Sequence, residues 1–146
     1  MGRALKDIGY EKPSPVQEQC IPPLLDGQDV VGQALTGTGK TAAFGIPIIE
    51  RLDSDHQEVQ SLILVPTREL AMQVHRELER IAQFQPINIT ACYGGQPIFR
   101  QIALLQRGAQ IVVGTPGRIL DHLNRRTLYL TKLRTLVLDE ADEMLD

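Results

Sequence analysis

The segment Ala34 to Thr41, which reads ALTGTGKT, constrains the fold of this chain more than any other part of its sequence. It follows the apolar run Asp29–Gln33 and precedes the apolar run Ala42–Ile46, an order typical of a strand, a glycine-rich turn and a helix. Gly37 and Gly39 allow a turn in which successive backbone N–H groups point at one anion, and the helix N-terminus adds positive potential there. The segment therefore predicts a phosphate-binding loop.

Within this loop, Lys40 would reach the β- and γ-phosphates of a nucleotide, and the Thr41 hydroxyl would ligate Mg²⁺. The usual pattern has a glycine five residues before Gly39, where this chain has Ala34. The alternative is an ordinary strand-to-helix turn, which would require neither a lysine nor two glycines at this spacing. The predicted phosphate-binding residues are Thr36, Gly37, Thr38, Gly39, Lys40 and Thr41.

Apolar, β-branched runs alternate with segments of helical spacing along the rest of the chain. The runs are 29–34, 61–65, 87–93, 111–114 and 135–139. The clearest helical segment is 68–84, with an apolar stripe of Leu70, Val74, Leu78, Ile81 and Phe84. Shorter stripes follow at Ile98, Ile102 and Leu105, and at Ile119, Leu120 and Leu123. Strands that are almost wholly apolar predict one α/β domain over residues 1–146, with a parallel sheet covered by helices on both faces.

Each of these runs is followed by polar or glycine residues, which would meet at the carboxyl edge of a parallel sheet, where ligands bind. The clusters are Thr36–Thr41, Pro66–Glu69, Gly94–Gly95, Thr115–Arg118 and Asp139–Asp142. Asp139 is placed to hold Mg²⁺, largely through water, and Glu140 to polarise an attacking water molecule. The alternative for this acidic pair is a helix cap.

Composition limits what else the chain can do. Its net charge of −3 provides no general attraction for nucleic acid, so any such ligand would need a local basic patch. No apolar run reaches the roughly 18 residues of a membrane helix, and no signal peptide is recognisable, so no membrane contact is expected. The cysteines, Cys20 and Cys92, predict buried thiols in a reducing, cytoplasmic compartment. The histidines are expected at the surface, and 53–60 is expected to be a solvated loop.

The motifs GYEKPSPVQ, ALTGTGKT, PTRELA, GG, TPGR and DEAD occur in this order between about Leu5 and Asp146. In this respect the chain resembles the DEAD-box family of ATP-dependent RNA helicases. The resemblance implies a RecA-like P-loop NTPase domain, the first of two in such an enzyme, with ATP and Mg²⁺ as cofactors. It also implies that the adenine is bound by Tyr10, Lys12, Ser14 and Gln17. The amide of Gln17 can pair with N6 and N7 of adenine but not with guanine.

The same resemblance assigns the remaining clusters. Lys40, Asp139 and Glu140 would be catalytic, and Asp142 would couple this domain to the second one. One RNA strand would be held by its sugar-phosphate backbone at Thr67, Arg68, Gly94, Gly95, Thr115 and Arg118. Such contacts carry charge without reading a base. The alternative is that the glycines serve turns and the arginines begin helices.

Two departures from the family pattern shape our expectations. The family's aromatic residue upstream of the adenine motif would precede Met1, and the Ser-Ala-Thr motif and the second RecA-like domain are absent from the sequence. We therefore expect an N-terminal fragment, truncated before the Ser-Ala-Thr strand, that binds ligands without turnover of its own. That strand would lie between the phosphate-loop strand and the DEAD strand. We expect those two strands to close up, or a second chain to fill the gap by self-association.

Overall fold

The computed structural model describes residues 29–33 and 40–139. Five strands alternate there with four helices. The strands are β1 (Asp29–Gln33), β2 (Ser61–Leu64), β3 (Ile89–Cys92), β4 (Ile111–Gly114) and β5 (Thr135–Asp139). The helices are α1 (Lys40–Arg51), α2 (Arg68–Ile81), α3 (Ile98–Gln106) and α4 (Pro116–Arg125). Each predicted apolar run contains a strand, which confirms the predicted α/β alternation.

The strands form one parallel sheet in the order β1-β5-β2-β4-β3. Gln33 is paired in register with Asp139, and Leu64 with both Leu138 and Gly114, so the strand ends lie at one edge. The phosphate-loop strand β1 is thus hydrogen-bonded directly to β5. Of the two expected arrangements, closing up is the one observed, while self-association stays a prediction.

Side chains alternate between the two faces of the sheet, because successive residues of a strand point in opposite directions. Ile63 and Val65 pack with residues of α1 and α2, including Phe44 and Leu78. Their neighbours Leu62 and Leu64 pack instead with a second cluster that contains Ile119 of α4, with Leu105 of α3 packed against it. Helices therefore cover both faces, as predicted for an all-apolar parallel sheet.

Three predictions about individual side chains were wrong. Helix α2 ends at Ile81 and Ala82 leaves the helical conformation (φ −95°, ψ 12°), so Phe84 lies outside the stripe and is 91% exposed. His122, expected at the surface, is fully buried because it lies one turn beyond Ile119 on the inner face of α4. In the loop 53–60, Val59 and Gln60 are buried rather than solvated.

The amino end of the sheet is held by two buried glutamines, Gln60 and Gln110, which directly precede β2 and β4. The Gln60 amide donates to the carbonyl oxygens of Asp53 (2.8 Å) and His56 (3.2 Å). The Gln110 amide donates to the same His56 carbonyl (3.0 Å) and accepts from the backbone N–H of Asn88 (3.0 Å). The loop is therefore fixed by side-chain amides. None of the helices in the described part of the chain is long and apolar enough to cross a membrane.

Candidate functional site

At the carboxyl edge, α2 follows β2 after a short turn. The turn ends at Thr67, and Arg68 is the first residue of the helix. The Thr67 hydroxyl accepts from the backbone N–H of Leu70 (3.1 Å), so this side chain caps the helix. Arg68 is exposed, and its guanidinium carbon lies 5.9 Å from the centre of the Tyr93 ring. Arg68 therefore faces the segment that follows β3, as a cation placed over an aromatic ring.

The segment after β3 contains the two predicted glycines. Gly95 has φ +84°, and a Cβ there would lie 2.6 Å from an Arg68 guanidinium nitrogen. A side chain at this position would be strained by the backbone and would displace Arg68. Gly94 differs, because no other atom lies within 4 Å of the position its Cβ would take. Gly95 is thus favoured by its backbone conformation, whereas Gly94 borders open space.

Helix α4 follows β4 and begins beside this segment. The backbone N–H of Thr115 donates to the carbonyl of Cys92 (3.2 Å), and the Thr115 side chain makes no capping hydrogen bond. An Arg118 guanidinium nitrogen donates to the backbone carbonyl of Gln96 (3.2 Å). The structure thus brings Arg68, Gly95 and Arg118 together on one surface, which we call the arginine–glycine edge. Within the described ranges 29–33 and 40–139, neither arginine forms an ion pair with a carboxylate.

Beneath this edge lies a buried polar cluster that sequence reasoning missed. Gln101 of α3 accepts from Arg118 (3.2 Å) and is hydrogen-bonded to His122 Nε2 (2.9 Å). His122 Nδ1 lies 2.8 Å from the Thr127 hydroxyl. Burial, with Arg118 and Arg125 nearby, lowers the pKa of His122 although Asp121 opposes this, so the ring is held neutral. A usable signal existed, because Gln101 and His122 are polar residues on otherwise apolar helix stripes.

The predicted nucleotide side is described only in part. Helix α1 begins at Lys40, as the phosphate-loop pattern predicts, and the Thr41 side chain in its first turn is only 4% exposed. Asp139, the last residue of β5, is fully buried and is the register partner of Gln33, which precedes the loop. A hydroxyl and a carboxylate are oxygen ligands of the kind that Mg²⁺ takes. The donor chemistry therefore fits a magnesium site completed by phosphate and water.

Several predicted site residues lie outside the described part of the chain, and their roles stay predictions. These are Tyr10, Lys12, Ser14, Gln17, Thr36, Gly37, Thr38, Gly39, Glu140 and Asp142. Within residues 29–33 and 40–139, no group of three or more His, Cys, Asp or Glu side chains could hold a metal ion. Cys92 is a buried free thiol, as predicted, and burial raises its pKa to about 12, so it stays protonated and unreactive.

Comparison with known proteins identifies the class of fold and then the family. A DEAD box protein from the hyperthermophile Methanococcus jannaschii has a crystal structure that superposes with a TM-score of 0.73 at 49% identity, covering 98% of this chain and 39% of that one. The chain is thus a RecA-like parallel α/β domain. The family model described as DEAD/DEAH box helicase matches residues 14–146. The chain belongs to the DEAD/DEAH box helicase family.

Two curated relatives support the same assignment over almost the full chain. Proteins named ATP-dependent RNA helicase CshA from Limosilactobacillus reuteri and Listeria monocytogenes are 54% and 55% identical to it, each over 99% of its length. The chain spans only 29% and 28% of the length of those two proteins. The activity of a whole helicase is therefore a proposal for this chain.

Proposed function

We propose that this chain is the N-terminal RecA-like part of an ATP-dependent RNA helicase, which binds ATP–Mg²⁺ and the sugar-phosphate backbone of single-stranded RNA. The observation that carries the RNA half of the proposal is the arginine–glycine edge. Two arginines without carboxylate partners in the described residues meet a glycine segment there. Such an edge supplies positive charge and backbone approach to phosphates without groups that read bases.

The overall charge of −3 makes this local arrangement more informative. A chain with a net negative charge repels a polyanion in general, so binding requires a surface on which positive charge is concentrated. Thr67 and Thr115 lie at the starts of the two helices that carry Arg68 and Arg118. Backbone N–H groups at helix starts add to the attraction for phosphate oxygens.

The nucleotide half of the proposal rests on the family and on the order of its motifs. Tyr10, Lys12, Ser14 and Gln17 would bind the adenine, and residues 36–41 would bind the phosphates. When bound, Mg²⁺ would neutralise charge on the phosphates, held by Thr41 and Asp139 largely through water. Glu140 would position the attacking water, and Asp142 would connect this site to a second RecA-like domain of a longer parent chain.

A second candidate function is ligand binding without turnover. It is favoured by length, since the helicases named above are more than three times as long as this chain. Arginines that stabilise charge on the transferred phosphate contribute about 10³–10⁵ in rate in enzymes of this type, and this chain has no assigned residue for that role. The predicted cytoplasmic location, which rests on reduced cysteines, stays part of the proposal.

Steady-state phosphate release with saturating ATP, with and without single-stranded RNA, separates the two functions. We expect this chain to bind ATP and ADP in preference to GTP in calorimetric titrations, and to show no stimulation of hydrolysis by RNA. Stimulation by RNA would instead assign the complete activity to these 146 residues. Failure to bind any nucleotide would contradict both functions.

Binding of fluorescently labelled oligouridine, measured by anisotropy at several salt concentrations, tests the RNA half. Each phosphate contact contributes about 0.7 to the slope of log affinity against log salt for a single strand. Arg68→Ala at the carboxyl edge should lower this slope by about that amount. Arg134→Ala is the matched control, because Arg134 is also exposed but precedes β5 at the opposite end of the sheet. Equal slopes for the two variants would contradict the proposed RNA edge.

A further inference from the structure

The arginine–glycine edge is held together by one side chain, the amide of Gln101, which is only 1% exposed. Its nitrogen donates to the backbone carbonyl of Tyr93 (2.9 Å) and to the side-chain oxygen of Gln96 (3.2 Å). Its oxygen accepts from Arg118 (3.2 Å) and from His122 Nε2 (2.9 Å). A glutamine amide has two N–H donors and two lone pairs, so all of its capacity is used.

Three of these four partners belong to the edge or flank its glycine segment. Tyr93 and Gln96 lie on either side of Gly94 and Gly95, so Gln101 fixes both ends of the glycine segment. Arg118 donates to the Gln96 carbonyl as well as to Gln101, which ties α4 to the same segment. The Gln96 side chain also donates to the Tyr93 hydroxyl (3.0 Å), below the guanidinium of Arg68. The segments after β3 and β4 are therefore connected through one buried amide, and Arg68, which follows β2, contacts the same region through the Tyr93 ring.

Tyr93 and Arg118 determine which way this amide points, and the amide in turn determines the tautomer of His122. The carbonyl of Tyr93 can only accept and the guanidinium of Arg118 can only donate, so the Gln101 nitrogen faces Tyr93 and its oxygen faces Arg118. His122 then carries its proton on Nε2 to donate to the same oxygen, and its Nδ1 shares the single hydrogen of the Thr127 hydroxyl with the backbone carbonyl of His122 (3.1 Å). Reversing the amide would place an acceptor against the Tyr93 carbonyl and a donor against the Arg118 guanidinium.

We propose that Gln101 is a positioning residue for RNA binding: its amide holds the glycine segment and Arg118 in the one arrangement that receives the RNA backbone. This inference rests on the proposed RNA function of the same edge. The competing interpretation is a buried glutamine that only satisfies core polar groups. The two interpretations differ in what the residue controls, which is RNA affinity in the first case and stability alone in the second.

Gln101 would increase RNA affinity by ordering the edge before RNA binds. Without the amide, the glycine segment and the Arg118 side chain would each have to be ordered when RNA binds, and this lost freedom reduces affinity. Ordering of two or three such groups corresponds to a weakening of about tenfold. We expect nucleotide binding to be unaffected, because the four hydrogen bonds of the Gln101 amide go to Tyr93, Gln96, Arg118 and His122 and use all of its capacity.

Gln110 provides a matched control within the same sheet. It is also a fully buried glutamine whose amide fixes loop backbone, but its partners His56 and Asn88 lie at the amino end. Gln101→Leu removes a buried amide at the carboxyl end of the sheet, and Gln110→Leu removes one at the amino end. We would measure oligouridine affinity by anisotropy, ADP affinity by calorimetry and the unfolding midpoint in urea for both variants and for the unmodified chain.

We expect Gln101→Leu to weaken oligouridine binding about tenfold while ADP affinity is retained, and Gln110→Leu to leave oligouridine affinity unchanged. Equal weakening in the two variants, or none in Gln101→Leu, would overturn the positioning role while leaving the proposed RNA function in place. If the unmodified chain does not bind oligouridine, the RNA function itself fails, and this inference fails with it.

A second variant keeps the test decisive if Gln101→Leu does not fold. Gln96→Ala, at a half-buried loop position, removes one acceptor of the Gln101 amide and the contact to the Tyr93 hydroxyl without emptying the core. It should weaken oligouridine binding by a smaller factor, about threefold, with a loss of stability no larger than that of Gln110→Leu. Unchanged RNA affinity in this variant would contradict the proposal.

Discussion

Buried glutamine amides hold both ends of the sheet, but they bind different groups at the two ends. At the amino end, the amides of Gln60 and Gln110 hold the loop 53–60 mainly through backbone groups. At the carboxyl end, the amide of Gln101 bonds to two further side chains with titratable or charged groups, Arg118 and His122. Amides that bind backbone fix a loop, whereas the amide that binds a guanidinium and an imidazole fixes side chains of the edge that we propose binds RNA.

This difference follows from how a parallel α/β sheet is built. Every strand of this sheet points the same way, so the polar residues that follow the strands converge on one edge, which is where such sheets generally bind ligands. The connections at the other end only need to return the chain, and their polar groups can all be satisfied internally. Predictions that compare matched residues at the two ends therefore test the assignment of function to one of them.

The largest expected difference is between two lysines. Lys40 begins α1 at the carboxyl end, whereas Lys132 precedes β5 at the amino end. Lys40→Ala should abolish measurable ADP and ATP binding, because two charge-assisted bonds to phosphates contribute about 3–6 kcal/mol, or more than a hundredfold in affinity. Lys132→Ala should bind ADP and ATP with the affinity of the unmodified chain. Calorimetric titration measures both, and equal ADP affinity in the two variants would refute the phosphate-loop assignment.

The next effect concerns stability at the amino end. Gln110→Leu should lower the free energy of unfolding by about 1–3 kcal/mol, because the N–H of Asn88 and the carbonyl of His56 lose a hydrogen-bond partner there. Urea denaturation followed by circular dichroism measures this loss. The prediction is that stability falls while ADP affinity does not change. A variant that lost nucleotide affinity in proportion to stability would remove the distinction between the two ends.

A smaller effect separates two adjacent glycines within the carboxyl end. Gly95→Ala should cost about 1–2 kcal/mol of stability, because alanine is strained at φ +84° and its methyl group would contact Arg68. Gly94→Ala should leave stability unchanged, since its methyl group would meet nothing within 4 Å. Urea denaturation of both variants checks this pair.

The same variants test whether RNA approaches the backbone here. If Gly94 borders the RNA backbone, its new methyl group occupies the space that a phosphate or sugar needs, and oligouridine binding falls although the fold is intact. Gly94→Ala with unchanged affinity in anisotropy titrations would show that RNA does not approach at this position.

The fold could be predicted from the sequence because its signals are local. Apolar runs with β-branched residues mark the strands, and the order of turn residues marks one functional edge. What could not be predicted depends on contacts between distant segments. Phe84 continued the spacing of α2, but the helix ended before it. Gln101 and His122 lie 21 positions apart, and neither has a motif that predicts their hydrogen bond. The polarity of both positions was visible, whereas the pairing depends on how α3 packs against α4.

The smallest predicted effect is the pH dependence of the free energy of unfolding that the buried His122 causes. Burial, Arg118 and Arg125 lower its pKa from 6.5, and the carboxylate of Asp121 only partly offsets them. Since the folded pKa lies below the unfolded one, the unfolded chain takes up this proton first as the pH falls. His122 therefore contributes stability above about pH 6.5 that is lost on acidification, with a slope of at most about 1.4 kcal/mol per pH unit. Between pH 6.5 and 5.5 we expect a loss of at most about 1 kcal/mol.

The control for this prediction is His122→Gln, which keeps an amide donor toward Gln101 but has no group that titrates near neutrality. Its free energy of unfolding should fall less steeply than that of the unmodified chain over this pH interval, in urea denaturation curves measured at each pH. If His122→Gln kept the full slope, a different group would account for the acid sensitivity, and the neutral imidazole beside Gln101 would lose its support.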